Sequence, residues 1–128
     1  MRGEAFDRVN LDEVTLESMT AHGGVGTIRF ARLVDNHPGR SGCNFVDVAV
    51  VPPGASIGRH RHEPDEEEFY LVLEGVGAMR RDGEDFAVRA GDLIRNRPGG
   101  EHELRNDGDR PLRLFVFEVA TVSREWTR

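Results

Sequence analysis

Histidine is the residue type whose spacing in this chain points most directly to chemistry. His60 and His62 stand two apart, and His102 follows well downstream. Side chains alternate along a strand, so His60 and His62 fall on one face and Arg61 on the other. A run of acids, Asp65-Glu66-Glu67-Glu68, follows a turn at Pro64 and opens the next apolar segment. His102 comes after Pro98-Gly99-Gly100, a turn signal. Three imidazoles and one carboxylate in a cavity suit one divalent first-row transition metal, and Fe, Mn, Co, Ni, Cu and Zn all accept that donor set. Three imidazoles converging without an anion are costly to bury if charged, and a metal removes that cost. Each signal alone is weak, because a lone strand histidine is more often a core or surface residue than a ligand. His22 and His37 lie in Gly-rich or Pro-flanked sequence and read as loop residues.

Short strands must position these groups. Gly26 to Val34 alternates, with Ile28, Phe30 and Arg32 on one face and Thr27, Arg29, Ala31 and Leu33 on the other. Phe45 to Val51 reads as a strand ended by Pro52-Pro53-Gly54, and Glu67 to Leu73 as one ended by Glu74-Gly75. Val76 to Arg81 runs into Asp82-Gly83, a two-residue hairpin signal. Phe86 to Arg89, Leu93 to Asn96, Glu101 to Asn106 and Leu112 to Val119 complete the series. Turn residues recur about every 8–12 positions, the rhythm of a sandwich or barrel. Asp12 to Met19 is a short amphipathic turn or an edge strand. The expected class is all-β with at most one short helix.

Composition narrows the function classes. At 128 residues the chain has room for one domain. Its 17 basic residues are all arginine, and against 23 acidic residues they leave a net charge of −6. An acidic surface repels phosphate backbones, so no nucleic-acid partner is expected. The longest aliphatic run, Val48 to Val51, is far short of the ~18 residues of a membrane span. The N-terminus has no apolar stretch behind Arg2, so no secretory signal and a cytoplasmic location are expected. Cys43, the single cysteine, follows a glycine and precedes an apolar stretch, and reads as a buried packing residue.

Two stretches resemble the paired motifs of the cupin superfamily. The first, G-x5-H-x-H-x3,4-E-x6-G, matches Gly54, His60, His62, Glu68 and Gly75. The second, G-x5-P-x-G-x2-H-x3-N, matches Gly91, Gly99, His102 and Asn106. Together they span residues 54–106, about two-fifths of the chain. The resemblance implies a double-stranded β-helix, or jelly-roll barrel, over 1–128. It also implies one divalent transition metal held by His60, His62, Glu68 and His102.

Two departures bear on the site. Five residues separate His62 from Glu68, one more than the motif has, which places the extra residue in the Glu63-Pro64-Asp65 loop. Glu67 keeps the upstream spacing, but its side chain would point away from Tyr70 and Val72, so parity favours Glu68. Glu66 and Glu67 then read as solvated charge. Arg97 takes the usual proline position, with Pro98 one place later. Whether Arg95 or Arg97 faces the cavity is open at this level.

By the same parity Tyr70 and Leu104 are expected to line the cavity, Tyr70 as wall rather than proton donor. The resemblance implies a metal-dependent enzyme acting on a small oxygenated metabolite, of dioxygenase, isomerase, epimerase or cyclase type. A module that binds metal and small molecule without turnover is the alternative. Small cupins commonly pair, so a homodimer is expected, with Val25 to Val34 at a partner's sheet edge. The tail Thr121 to Arg128, with Trp126, is an anchor or a loose end.

Overall fold

The computed structural model describes residues 6–36 and 42–121. His37 and Trp126, both singled out in the sequence, lie outside those residues. Regular structure among the described residues is nearly all strand: β1 (Glu17–Met19), β2 (Ile28–Asp35), β3 (Cys43–Val51), β4 (Ser56–Arg61), β5 (Glu66–Glu74), β6 (Val76–Arg81), β7 (Glu84–Arg89), β8 (Leu93–Asn96), β9 (Glu101–Arg105) and β10 (Leu112–Ala120). The Asp12–Met19 segment resolves into one 3-10 turn, Leu11–Glu13, followed by β1. Too short an apolar stripe separates Asp12 from Met19 to sustain an α-helix.

Two antiparallel sheets face each other. One has the order β1-β2-β3-β10-β5-β8 and the other β4-β9-β6-β7, a jelly-roll sandwich. Alternation builds the interior. On β10, Leu112, Leu114, Val116 and Glu118 point inward, and all but Glu118 are aliphatic. Met79, Leu104, Leu112 and Leu114 are fully buried within the apolar core between the sheets. Asp82 and Gly83 both adopt positive φ and close β6 onto β7 with Arg81 opposite Glu84, the two-residue hairpin read from the sequence. No described helix is long and apolar enough to cross a membrane.

The strand β4 carries an irregularity that positions the histidines. Ile57 pairs with Leu104, but His60, three residues on, pairs with His102. Simple alternation would put Ile57 and His60 on opposite faces. The register shift between them inserts an extra residue, so both turn inward.

Gly58 sits at that shift. A Cβ there would lie 2.2 Å from the carbonyl oxygen of His22, and one at Gly24 would lie 2.3 Å from that of Ser56. Only glycines let the Ala21–Gly26 loop close on β4. That loop bonds through Gly58 N to Ala21 O at 3.0 Å and Ser56 N to Val25 O at 2.9 Å.

Candidate metal centre

The structure brings His60, His62, Glu68 and His102 together. One ligating atom from each lies within 4.8 Å of all the others. They come from both sheets: His60 from β4 and His62 just beyond its end, His102 from β9, and Glu68 from β5 opposite. Glu68 Oε1 is 3.2 Å from His62 Nε2 and 3.0 Å from His102 Nε2. His62 holds its place through its backbone N–H, which donates to Gly100 O at 2.9 Å. The Glu63-Pro64-Asp65 turn is closed by Glu66 N donating to Glu63 O at 3.0 Å, and it absorbs the extra residue between His62 and Glu68.

Hydrogen bonds orient the rings. His60 Nδ1 lies 2.8 Å from Gly58 O, so it carries the proton and leaves Nε2 as an acceptor. His62 Nδ1 faces Glu118 Oε1 at 2.9 Å, while Glu118 Oε2 accepts from Asn44 Nδ2 at 2.9 Å. Carboxylates behind ligating imidazoles commonly fix tautomer and orientation in this way. Tyr70 Oη is 3.2 Å from His102 Nε2 and the residue is buried, as a wall beside the site. Burial and the charge of Glu68 push the Tyr70 phenol well above its ordinary pKa, so it stays protonated.

The charges are coupled. Burial disfavours charge on Glu68, but His102 and His62 outweigh it and bring the carboxyl down to about 2. Burial likewise opposes charge on His62, but Glu118 and Glu68 push it up to about 10. His60 goes the other way, to about 4, because of burial and then the neighbouring His102 and His22. His60 is therefore a neutral donor at pH 7.

The donor set fits a metal. Glu68 Oε1 and His62 Nε2 are buried, face one another across the cluster, and make no hydrogen bond of good geometry. Buried polar atoms left without well-formed hydrogen bonds carry a desolvation cost that coordination to a metal ion would offset.

Several residues around this centre differ from the sequence reading. Glu66 and Glu67 are not solvated. Glu67 is buried and accepts a 2.6 Å bond from Arg95 Nε, on the face opposite Glu68. Glu66 is half-buried, with Oε1 3.7 Å from His62 Nδ1. Leu104 shares the inward face of His102 but is fully buried in the apolar cluster, flanked in its own sheet by Ile57 and Met79, and of these three only Ile57 borders the cavity. Cys43 is half-buried at the start of β3, with Sγ 3.7 Å from Phe45 O. Arg95 turns to Glu67 and Arg97 is exposed, so neither supplies a cation to the cavity.

The cavity's cation is Arg32, whose Nε and Nη2 grip Asp47 at 2.9 and 3.0 Å. His22 also joins, its ring stacked on His60 at 3.6 Å with an interplanar angle of 10°. For Arg32, Asp47 and Glu118 the available sequence signal was a charge on the apolar face of an alternating strand. For His22 there was none, because its contact depends on the packing of Gly58.

The open space lies beside His60 and Glu68. A cavity of about 380 Å³ extends from them between β2, β3, β4 and β10. A more polar mouth, which shares His22, Arg32 and Phe45 with it, opens past Arg61 and Glu66.

Across this same core, residues 47–118, the chain matches the family model of the cupin domain, more than half its length. The chain belongs to the cupin family. This cupin is 30% identical over 112 residues to the oxalate-binding protein of Thermotoga maritima, covering 87% of this chain and 92% of that one. It is 30% identical over 116 residues to a dimethylsulfoniopropionate lyase of Ruegeria pomeroyi, covering 88% and 74%. Its fold superposes on the crystal structure of a predicted oxalate decarboxylase from Thermotoga maritima with a TM-score of 0.82 and 29% identity, over 88% of this chain and 98% of that one. Relatives of this cupin therefore range from a binding protein to a lyase.

Proposed function

We propose that this cupin is a metal-dependent enzyme that acts on a small oxygenated metabolite, with His60, His62, Glu68 and His102 as the ligands of one divalent transition metal. The observation that carries the reading is the convergence of these four donors, two of them buried without a good hydrogen bond, at the end of a cavity. A divalent ion held there supplies Lewis acidity toward a substrate oxygen, and a redox-active one also supplies a centre for dioxygen.

The chain's own residues do the rest. The three imidazoles present Nε2 inward, His60 because its Nδ1 is committed to Gly58 and His62 because its Nδ1 is committed to Glu118. Three neutral imidazoles, one carboxylate and a divalent ion leave a single positive charge, which favours an anionic or oxygen-rich substrate. Tyr70 walls the site and keeps its proton. The apolar side of the cavity limits water around the reacting oxygen.

Elemental analysis of untagged protein tests the ligand set. About one metal per chain in wild type, lost in His102→Ala, is the expected result. No metal and no uptake on reconstitution would overturn the reading. Turnover is tested by screening metal-loaded protein against small diols, ketones, phenols and hydroxy acids, with His60→Ala as control.

A second reading is supported by the oxalate-binding relative. In it, the same site holds a small molecule that returns unchanged. We also propose a homodimer. Among the described residues, β1 covers the outer edge of β2 only opposite Ile28 to Phe30, which supports placing a second copy along the rest of that edge. A dimer mass in light scattering at micromolar concentration is expected.

A further inference from the structure

The cavity beside His60 is larger and more apolar than a minimal chelator needs. It encloses about 380 Å³. Oxalate has six non-hydrogen atoms and fills less than about six waters' worth of space, roughly 180 Å³ at about 30 Å³ per water. The remaining volume is walled by Ile28, Phe30, Ala49, Ile57 and Val116, and four of these five are fully inside the core. An apolar ligand body gains by filling such space, whereas a small polar ligand leaves it to water.

The polar groups are confined to one end, where His60, Glu68 and Arg32 meet. Arg32 is held rigidly. Asp47 binds its Nε and Nη2, and the Phe45 ring lies 4.2 Å below the guanidinium carbon. Of its five N–H groups, two serve Asp47 and three remain for a ligand.

Charge sets the head group. The Arg32 and Asp47 charges cancel, Glu68 is already counted in the centre, and Asp35 adds further negative charge to the wall. A dianion is disfavoured there, while a monoanion matches the single positive charge of the loaded centre.

We propose that the ligand of this cupin is an amphiphilic monoanion: a 2-oxo or 2-hydroxy carboxylate head between the metal centre and Arg32, with a branched-alkyl or phenyl body among Ile28, Ala49, Ile57 and Val116. The proposal rests on the metal reading above and names its substrate class.

Calorimetric titration of metal-loaded protein with oxalate, pyruvate, 4-methyl-2-oxopentanoate and phenylpyruvate tests it, with no turnover required. Each buried methylene strengthens binding about fourfold, so phenylpyruvate is expected to bind at least tenfold tighter than pyruvate, and tighter than oxalate. Ala49→Leu, which fills the apolar end, is expected to erase the gain of phenylpyruvate over pyruvate.

The wild-type series stands as the test even if that variant folds poorly. Affinity that stays flat with side-chain size, or is highest for oxalate, overturns the proposal while metal content stays intact. Failure to take up metal overturns the metal reading and this one with it.

Discussion

Glu68 and Glu118 stand directly opposite one another on β5 and β10, and the imidazole of His62 lies between them. Its Nε2 is 3.2 Å from Glu68 and its Nδ1 is 2.9 Å from Glu118. Two carboxylates buried as cross-strand partners repel. The positive charge that both carboxylates favour on the His62 ring offsets that repulsion, and it leaves Glu68 facing the centre and Glu118 behind it.

That arrangement makes Glu118 a positioning residue. Glu118→Gln keeps the shape and removes the charge, so metal affinity is expected to fall about 10–100-fold. Competition with a chromophoric chelator measures it. An unchanged affinity would show that His62 needs no carboxylate behind it.

The two adjacent glutamates of β5 are expected to differ sharply. Glu68→Gln should abolish stoichiometric metal, since it removes the only carboxylate among the four donors. Glu67→Gln breaks an ion pair with the largely exposed Arg95 and should leave metal content intact, at a stability cost of at most about 1 kcal/mol. Elemental analysis and thermal melts of both variants decide the matter, and the reverse pattern would move the ligand to Glu67.

Stability of the metal-free protein should depend on pH on both sides. Glu68 is lowered from 4.5 to about 2, so its contribution is full above pH 4.5 and is lost as pH falls toward 2. His62 is raised from 6.5 to about 10, so its contribution is full below pH 6.5 and is lost as pH rises through 10. His60 is lowered from 6.5 to about 4, so keeping it neutral costs stability as pH falls from 6.5 toward 4. The melting temperature of metal-free protein is therefore expected to peak near pH 6.5 and to decline toward both pH 4 and pH 10. Metal binding must displace the proton on the Glu68 side of His62. Affinity should accordingly tighten by about tenfold per pH unit between about pH 6.5 and 10. A pH-independent affinity would contradict the coupling.

The loop carrying His22 depends on a glycine contact. Gly58→Ala places a methyl group against the His22 carbonyl and should cost about 1–3 kcal/mol. It should also separate the stacked rings of His22 and His60, seen as a shift in their imidazole NMR signals. A variant as stable as wild type, with both signals unmoved, would show that the close approach does not hold His22.

Part of this was legible in the chain because period-two patterning and turn residues are local properties. Leu112 to Val119 reads as a strand without knowledge of its partners, and Asp82-Gly83 reads as a hairpin. The choice of Glu68 over Glu67 as the inward residue followed from parity with Tyr70 alone. Where parity met a packing question, it ran out. Leu104 points inward as expected, but whether an inward residue borders open space or packs in the apolar cluster depends on how the two sheets meet, and Leu104 is enclosed in the cluster while its neighbour Ile57 borders the cavity.

The sequence by itself determined the strand pattern, the family and which four residues to look for at one point, since each depends on residue type and spacing along the chain. Tertiary structure alone decided the rest. The register shift in β4 turns His60 inward, the closure of two glycines carries His22 onto it, and cross-strand pairing sets Glu118 behind His62. Arg32, not Arg95 or Arg97, became the cavity's cation because Asp47 stands beside it on β3 and Glu67 draws Arg95 to the opposite face. These outcomes depend on which atoms meet across strands far apart in the chain, and spacing along a single strand carries no record of that.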